Sequence, residues 1–210
     1  GKIGTDVFTN CNPLDIYGYS TSGYYTNYKV DIGEEESVDE NYDGYYPKGS
    51  KFHFLDSFEW ECGTEGHESE VKAKFDLETG TLAIVGTGAI RDISSTGMLW
   101  GGLGNLIKNV VVSDGITRIG ANNFKETGIT EIKLPNTITS IGGASFANTA
   151  ITSIEFPETL ETIEPTAFFG THQLTTIHLP NNLKSIGHAA FMGAIGLKEV
   201  YFNKGIEEIE

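Results

Sequence analysis

Two cysteines and five histidines are the side chains of this chain most apt for chemistry. A thiolate can attack a carbonyl, and Cys with His can hold zinc. Cys62 and His67 stand in a C-x4-H arrangement. No second ligand pair and no Asn or Asp placed to orient the imidazole accompanies them, so neither a zinc site nor a thiol-protease centre is expected. His172, His178 and His188 fall within one stretch, and His178 lies between inward Ile177 and Leu179, which turns it to solvent. Glu34, Glu35, Glu36, Asp39, Glu40 and Asp43 offer hard oxygens to calcium, but their spacing misses the D-x-D-x-D-G loop, and such a run reads as a solvated linker. The glycines of GTGAI (86–90) and GGLGN (101–105) miss the G-x-G-x-x-G spacing, and Trp100 beside them points to packing. No catalytic residue, metal ligand or cofactor is assigned, and the chain is expected not to be an enzyme.

The elements that carry these residues are repeats. Units of 22 or 23 residues open at Ile107, Ile129, Ile151, Leu174 and Leu197. Apolar columns follow at Val110/Ile132/Ile154/Ile177/Val200, at Val112/Leu134/Phe156/Leu179/Phe202, and at Ile119/Ile141/Ile163/Ile186/Ile209. A Phe closes each complete unit, at Phe124, Phe146, Phe168 and Phe191. The spacing I-x-x-I-x-L predicts one short strand, and I-x-x-I-G a second. Pro135, Pro157 and Pro180 mark the end of the first. Gly120, Gly142 and Gly187 end the second, where a left-handed or otherwise strained turn would oppose a Cβ. The A-x-F pieces that follow fit a tight helical turn. No unit can bury its apolar face alone, so the units are expected to stack, and the period is too short for TPR, ankyrin or WD40 arrays.

The segments ITEIKLPNTITSIGGASF (129–146) and LTTIHLPNNLKSIGHAAF (174–191) resemble the BspA-like leucine-rich repeats of bacterial and protist surface proteins. Glu164 stands where the other units have Gly, and Asn123 where they have a small residue. GTLAIVGTGAIRDISSTGMLW (80–100) resembles the segment that often precedes such arrays. The resemblance implies a β-rich solenoid with short strands and tight helical turns, preceded by a small β-hairpin cap. The hairpin itself is legible in VKAKF and TLAIV, which alternate around the turn DLETG. It also implies an extracellular or cell-surface protein, with signal and anchor outside residues 1–210. Partners implied are a host or neighbouring-cell surface protein or glycan, since some BspA-like proteins attach to host matrix proteins.

Four segments are expected: 1–30, the closing part of a preceding array; 31–57, an acidic linker; 58–106, a β-rich cap; and 107–210, four full units and a partial fifth. The first rests on Ile3-Gly4, Val7-Phe8 and Leu14, which repeat the second half of a unit. From this register, Ile3–Tyr19 is expected to stack on the coil Leu197–Glu210, in cis or head to tail between copies. Gly1-Lys2 and Glu210 read as cut points in a longer chain. Cys11 occupies the column of Thr127, Thr149, Thr171 and Ala194, which suits a small reduced core residue, although a bond to Cys62 stays open.

Net charge is −15, of which −11 falls in residues 1–70. Nucleic acid and anionic membranes are poor partners for such a chain. No apolar run reaches the length of a membrane span. What remains for function is the exposed strand surface. Lys133, Glu155, His178 and Tyr201 lie in the outward column of the first strand, and Arg118 and Lys184 on the second. These six are the candidate binding residues, on a mixed surface short of aromatic anchors. A weak adhesive contact multiplied along a long array, or a spacer role without a ligand, fits that surface.

Overall fold

The computed structural model describes residues 15–18, 51–54, 57–95, 99–202, 204, 206 and 208–209. It divides into two compact units, Gly1–Asp56 and Ser57–Glu210. In the first, β1 (Asp15–Gly18) pairs in parallel with β2 (Lys51–Phe54). The end of the stretch expected as linker is thus a strand, built on the alternation K-F-H-F. Cys11, the acidic residues 34–43 and residues 3–14 of the expected stacking segment lie outside the described residues.

In the second unit, β3 (Ser57–Glu61), β4 (Val71–Asp76) and β5 (Thr81–Gly86) run antiparallel. Strand β4 alternates buried and exposed residue by residue, which puts Val71, Ala73 and Phe75 into the core. The hairpin turn is fixed by Asp76, whose Oδ1 accepts bonds from the backbone N–H of Glu78 (2.9 Å) and Thr79 (3.2 Å). Gly80 completes it at φ +65°, a conformation that a Cβ opposes. Strand β5 then pairs in parallel with β7 (Asn109–Val112), so the hairpin continues the same sheet as the first repeat.

The repeats form two ladders. The first strands are β7, β9 (Glu131–Lys133), β12 (Thr176–His178) and β14 (Glu199–Tyr201). The second ladder starts at β6 (Gly88–Ala89) and continues through β8 (Ile116–Ile119), β10 (Ser140–Ile141), β11 (Thr162–Ile163), β13 (Ser185–Ile186) and β15 (Glu208–Ile209). All six of these strands join in one parallel sheet. The first-strand ladder is not continuous: β3-β4-β5-β7-β9 form one sheet and β12-β14 another. Between them the third unit contributes a single bridge, Lys133 to Glu155. The column there holds Phe156, whose ring lies edge-on against Phe168 at 5.6 Å and 76°. The same column holds Val112, Leu134 and Leu179, and Phe202 in the last unit.

Beneath both ladders lies a stack of rings. Trp100, Phe124, Phe146, Phe168 and Phe191 follow one another at 5.7, 5.4, 5.2 and 5.1 Å, within the range of favourable offset stacking. Three residues after three of the Phe rings, the buried hydroxyls of Thr127, Thr149 and Thr171 donate to the carbonyls of Phe124, Phe146 and Phe168 at 2.7–2.9 Å. These bonds let a polar residue sit in the core without an unsatisfied group.

The turn glycines act differently from expectation. Gly120, Gly142 and Gly187 do not have positive φ; a Cβ on them would strike the backbone of the preceding unit, at Arg91, Ala121 and Pro165 respectively. The left-handed residue is the second one after that column: Asn122 (58°), Ala144 (51°), Thr166 (57°) and Ala189 (55°). The A-x-F piece is therefore a run of tight turns entered through one left-handed residue, with no helix assigned. Backbone bonds to the next unit hold that conformation, Asn122 N–H to Gly143 O, Ala144 N–H to Pro165 O and Thr166 N–H to His188 O.

Candidate interaction surface

The two ladders present two outer faces with different chemistry. On the first-strand face the register sets Val111 beside Lys133 and Lys133 beside Glu155, and further on His178 beside Tyr201. Lys133, Glu155, His178 and Tyr201 thus form one column, each exposed. The adjacent column runs Asn109, Glu131, Ser153, Thr176 and Glu199. Glu131, Lys133, Asn136, Ser153, Glu155 and Glu158 line a shallow groove over the first three units. Lys133, Glu131 and Glu155 make no ion pair or side-chain hydrogen bond among the described residues.

His178 and Tyr201 stack with ring centroids 4.4 Å apart and planes 6° from parallel. Tyr201 remains 50% exposed, and its hydroxyl donates to Glu199 Oε2 at 3.3 Å. An exposed aromatic pair is the anchor that the sequence reading found lacking. The signal was present, because the two residues share a column in consecutive units, but a ring contact follows only once register is known.

Arg118 and Lys184 lie on the other face and are engaged within the chain. Arg118 pairs with Asp92 at 2.5 Å and with Glu164 at 2.9 Å, and the second Glu164 oxygen accepts the N–H of Gly143 at 2.9 Å. Glu164, which departs from the repeat pattern, is thereby the far end of a clamp across three units. Burial opposes ionisation of Asp92, but the N–H of Ala121 and the Arg118 guanidinium outweigh it and hold the carboxyl below its ordinary value. Lys184 meets Glu161 at 2.8 Å, Thr139 donates to Thr117 O at 3.2 Å, and Ser185 reaches Thr162 Oγ1 at 3.5 Å. On this face Arg118 and Lys184 are both held in ion pairs within the chain.

Cys62 and His67, the pair nearest to a nucleophilic arrangement, do not meet. Burial pushes the Cys62 thiol up to about 11, and its Sγ lies 3.5 Å from Val71 O. A thiol in that state is a poor nucleophile at neutral pH. His67 is exposed and bonds Glu70 at 2.7 Å. His172 Nδ1 lies 2.8 Å from Gly193 O, and His188 is exposed on a turn. Trp100 packs edge-on against Trp60 at 5.3 Å.

The family model for the BspA-type leucine-rich repeat region matches residues 104–210 in six copies. A crystal structure of a leucine-rich repeat protein from Eubacterium ventriosum is similar, at 28% identity and a TM-score of 0.66, over 73% of this chain and 40% of that one. Weaker likenesses extend to the pneumococcal vaccine antigen PcpA (19% identity, TM-score 0.44, 65% of this chain and 37% of that one) and to a T. pallidum leucine-rich repeat protein (18%, 0.45, 67% and 83%). No curated protein sequence matches significantly.

Proposed function

We propose that this chain, which belongs to the BspA-type leucine-rich repeat family, is a non-catalytic protein-interaction module of a surface-displayed protein. In this reading residues 107–210 are a β solenoid, residues 58–106 cap one side of it, and the first-strand face is the binding surface. One contrast carries the proposal. Among the described residues, the first-strand face leaves Glu131, Lys133 and Glu155 without partners and exposes a stacked His178–Tyr201 pair, while the cations of the other face are held in ion pairs. Aromatic anchors ringed by polar groups are the usual make-up of contact sites. Adhesion to a protein or glycan of a host or neighbouring cell follows by multiplying a weak contact along a longer array.

Binding of the chain to an array of extracellular matrix proteins and glycans tests this. A ligand retained by the wild type should be lost to a variant with Lys133, Glu155, His178 and Tyr201 all changed to Ala, and kept by the variant Glu161→Ala/Lys184→Ala. If no ligand distinguishes the two variants, the chain is a spacer that projects other domains.

A further inference from the structure

We propose that the repeat stack is jointed: between the third and fourth units its first-strand side opens and closes about the second-strand ladder, which changes the curvature of the first-strand face. The joint belongs to the stack, whatever that face binds. Two independent observations fall at the same place. In the structure, first strands pair on either side of it, β7 with β9 and β12 with β14. No pairing joins Ser153–Phe156 to Thr176–His178 among the described residues. In the sequence, the connection from each ring to the next opening residue changes length there. Phe124 to Ile129 and Phe146 to Ile151 are steps of five residues, whereas Phe168 to Leu174 and Phe191 to Leu197 are steps of six. The step before β7 is not comparable, because it is built as a 3-10 helix over Gly101–Leu106.

The added residue leaves a trace in the backbone. His172 and Ile195 each donate an N–H two residues back, to Gly170 O at 2.9 Å and to Gly193 O at 2.8 Å, and the five-residue connections have no such bond. Connections of equal length bring consecutive strands in at the same register, and a change in length offsets one strand from the next. In a stack where each unit touches only its neighbours, one weak interface is enough to make a joint.

The other contacts across this junction are closed, which makes it one-sided. Thr162 pairs with Ser185 and Ile163 with Ile186. The N–H of Gly187 meets Ile163 O at 2.8 Å and that of Phe168 meets Ala190 O at 2.7 Å, beside rings stacked at 5.1 Å. The axis lies along these contacts and the mouth along the first strands. Before the joint, Arg118 and Glu164 tie units one to three; after it, β12 and β14 tie units four and five. Glu158 is the latch, since its Oε2 accepts the N–H of Asn181 at 3.0 Å just past the unpaired strands. Asn181 Nδ2 adds a bond to the same oxygen at 3.3 Å.

Amide exchange on the full chain tests this. Ser153–Phe156 and Thr176–His178 should exchange about tenfold faster than Glu131–Lys133, with Thr162–Ile163 and Ser185–Ile186 protected. Deleting Gln173, an exposed residue of the longer connection, matches unit four to unit three, and Thr176–His178 should slow to the level of Glu131–Lys133. Inserting one Gly between Thr149 and Ala150 matches unit three to unit four instead, and the fast exchange should move to Glu131–Lys133. Either length variant decides the matter if the other fails to fold. Glu158→Ala, which removes the latch, should speed exchange at Thr176–His178 about threefold and leave the second ladder unchanged. Wild-type exchange at Ser153–Phe156 and Thr176–His178 as slow as at Glu131–Lys133 overturns the proposal. So does fast exchange that stays between units three and four when the connections are matched.

Discussion

The two strand faces come from the same repeat, yet one holds its polar groups to itself and the other offers them to solvent. The second-strand ladder runs unbroken through six strands, and its side chains close into the Arg118 clamp, the Lys184–Glu161 pair and hydroxyl contacts. The first-strand ladder breaks at the third unit, and Glu131, Lys133 and Glu155 on it have no ion pair among the described residues. A repeat thus separates two tasks: one strand maintains the register of the stack, which frees the other to vary. Departures from the pattern mark the division. Glu164, just after the second strand, adds an ion pair and a backbone bond, and Phe156 stands beside the place where the first-strand ladder is interrupted.

Deleting what the faces share has the largest effect. Phe146→Ala removes a fully buried ring from the middle of the stack and should cost about 3–5 kcal/mol in urea unfolding, with both faces losing structure in one transition. A smaller change should separate the faces. Arg118→Met should lower stability by about 1 kcal/mol, the scale of a partly exposed ion-pair network, and leave ligand binding intact. The same clamp predicts a pH dependence. The carboxyl of Asp92 is held below its ordinary value, so its contribution is present in full above the ordinary Asp range and is lost as pH falls through the lowered value. Acid titration of stability should therefore be steeper for wild type than for Arg118→Met.

Phe156→Leu tests why the first ladder breaks. It should change stability by less than about 1.5 kcal/mol while slowing amide exchange at Ser153–Phe156 and Thr175–His178, as the interrupted pairing forms. Unchanged exchange there would show that Phe156 is not the cause. Smallest of all, Lys133→Ala/Glu155→Ala should alter stability by less than about 0.5 kcal/mol, because neither side chain has an ion pair or side-chain hydrogen bond to lose among the described residues.

Periodicity made the apolar columns, both strands and the Phe ladder legible, because each column is one residue type repeated at a fixed interval. The left-handed turns were not legible. Ala144, Thr166 and Ala189 carry no signature of positive φ, although Asn122 is of a type that favours it; the backbone bonds of Asn122, Ala144 and Thr166 to the next unit are supplied only by the stacked structure. The glycine signal was real but its cause was close approach between units. At the surface, the four residues Lys133, Glu155, His178 and Tyr201 could be placed on one column from spacing. That Arg118 and Lys184 are engaged elsewhere could not, since their partners Asp92, Glu164 and Glu161 lie 23 to 46 residues away.

Ligands are predicted to meet the first-strand face. The most direct measurement is a backbone chemical-shift map of the chain titrated with a ligand taken from the matrix array. Shifts concentrated at Glu131–Lys133, Ser153–Glu155, Thr176–His178 and Glu199–Tyr201 are predicted, with Arg118, Ser140, Thr162 and Ser185 unmoved. Shifts concentrated on the second-strand residues, or on the turns at Asn122, Ala144, Thr166 and Ala189, would contradict it.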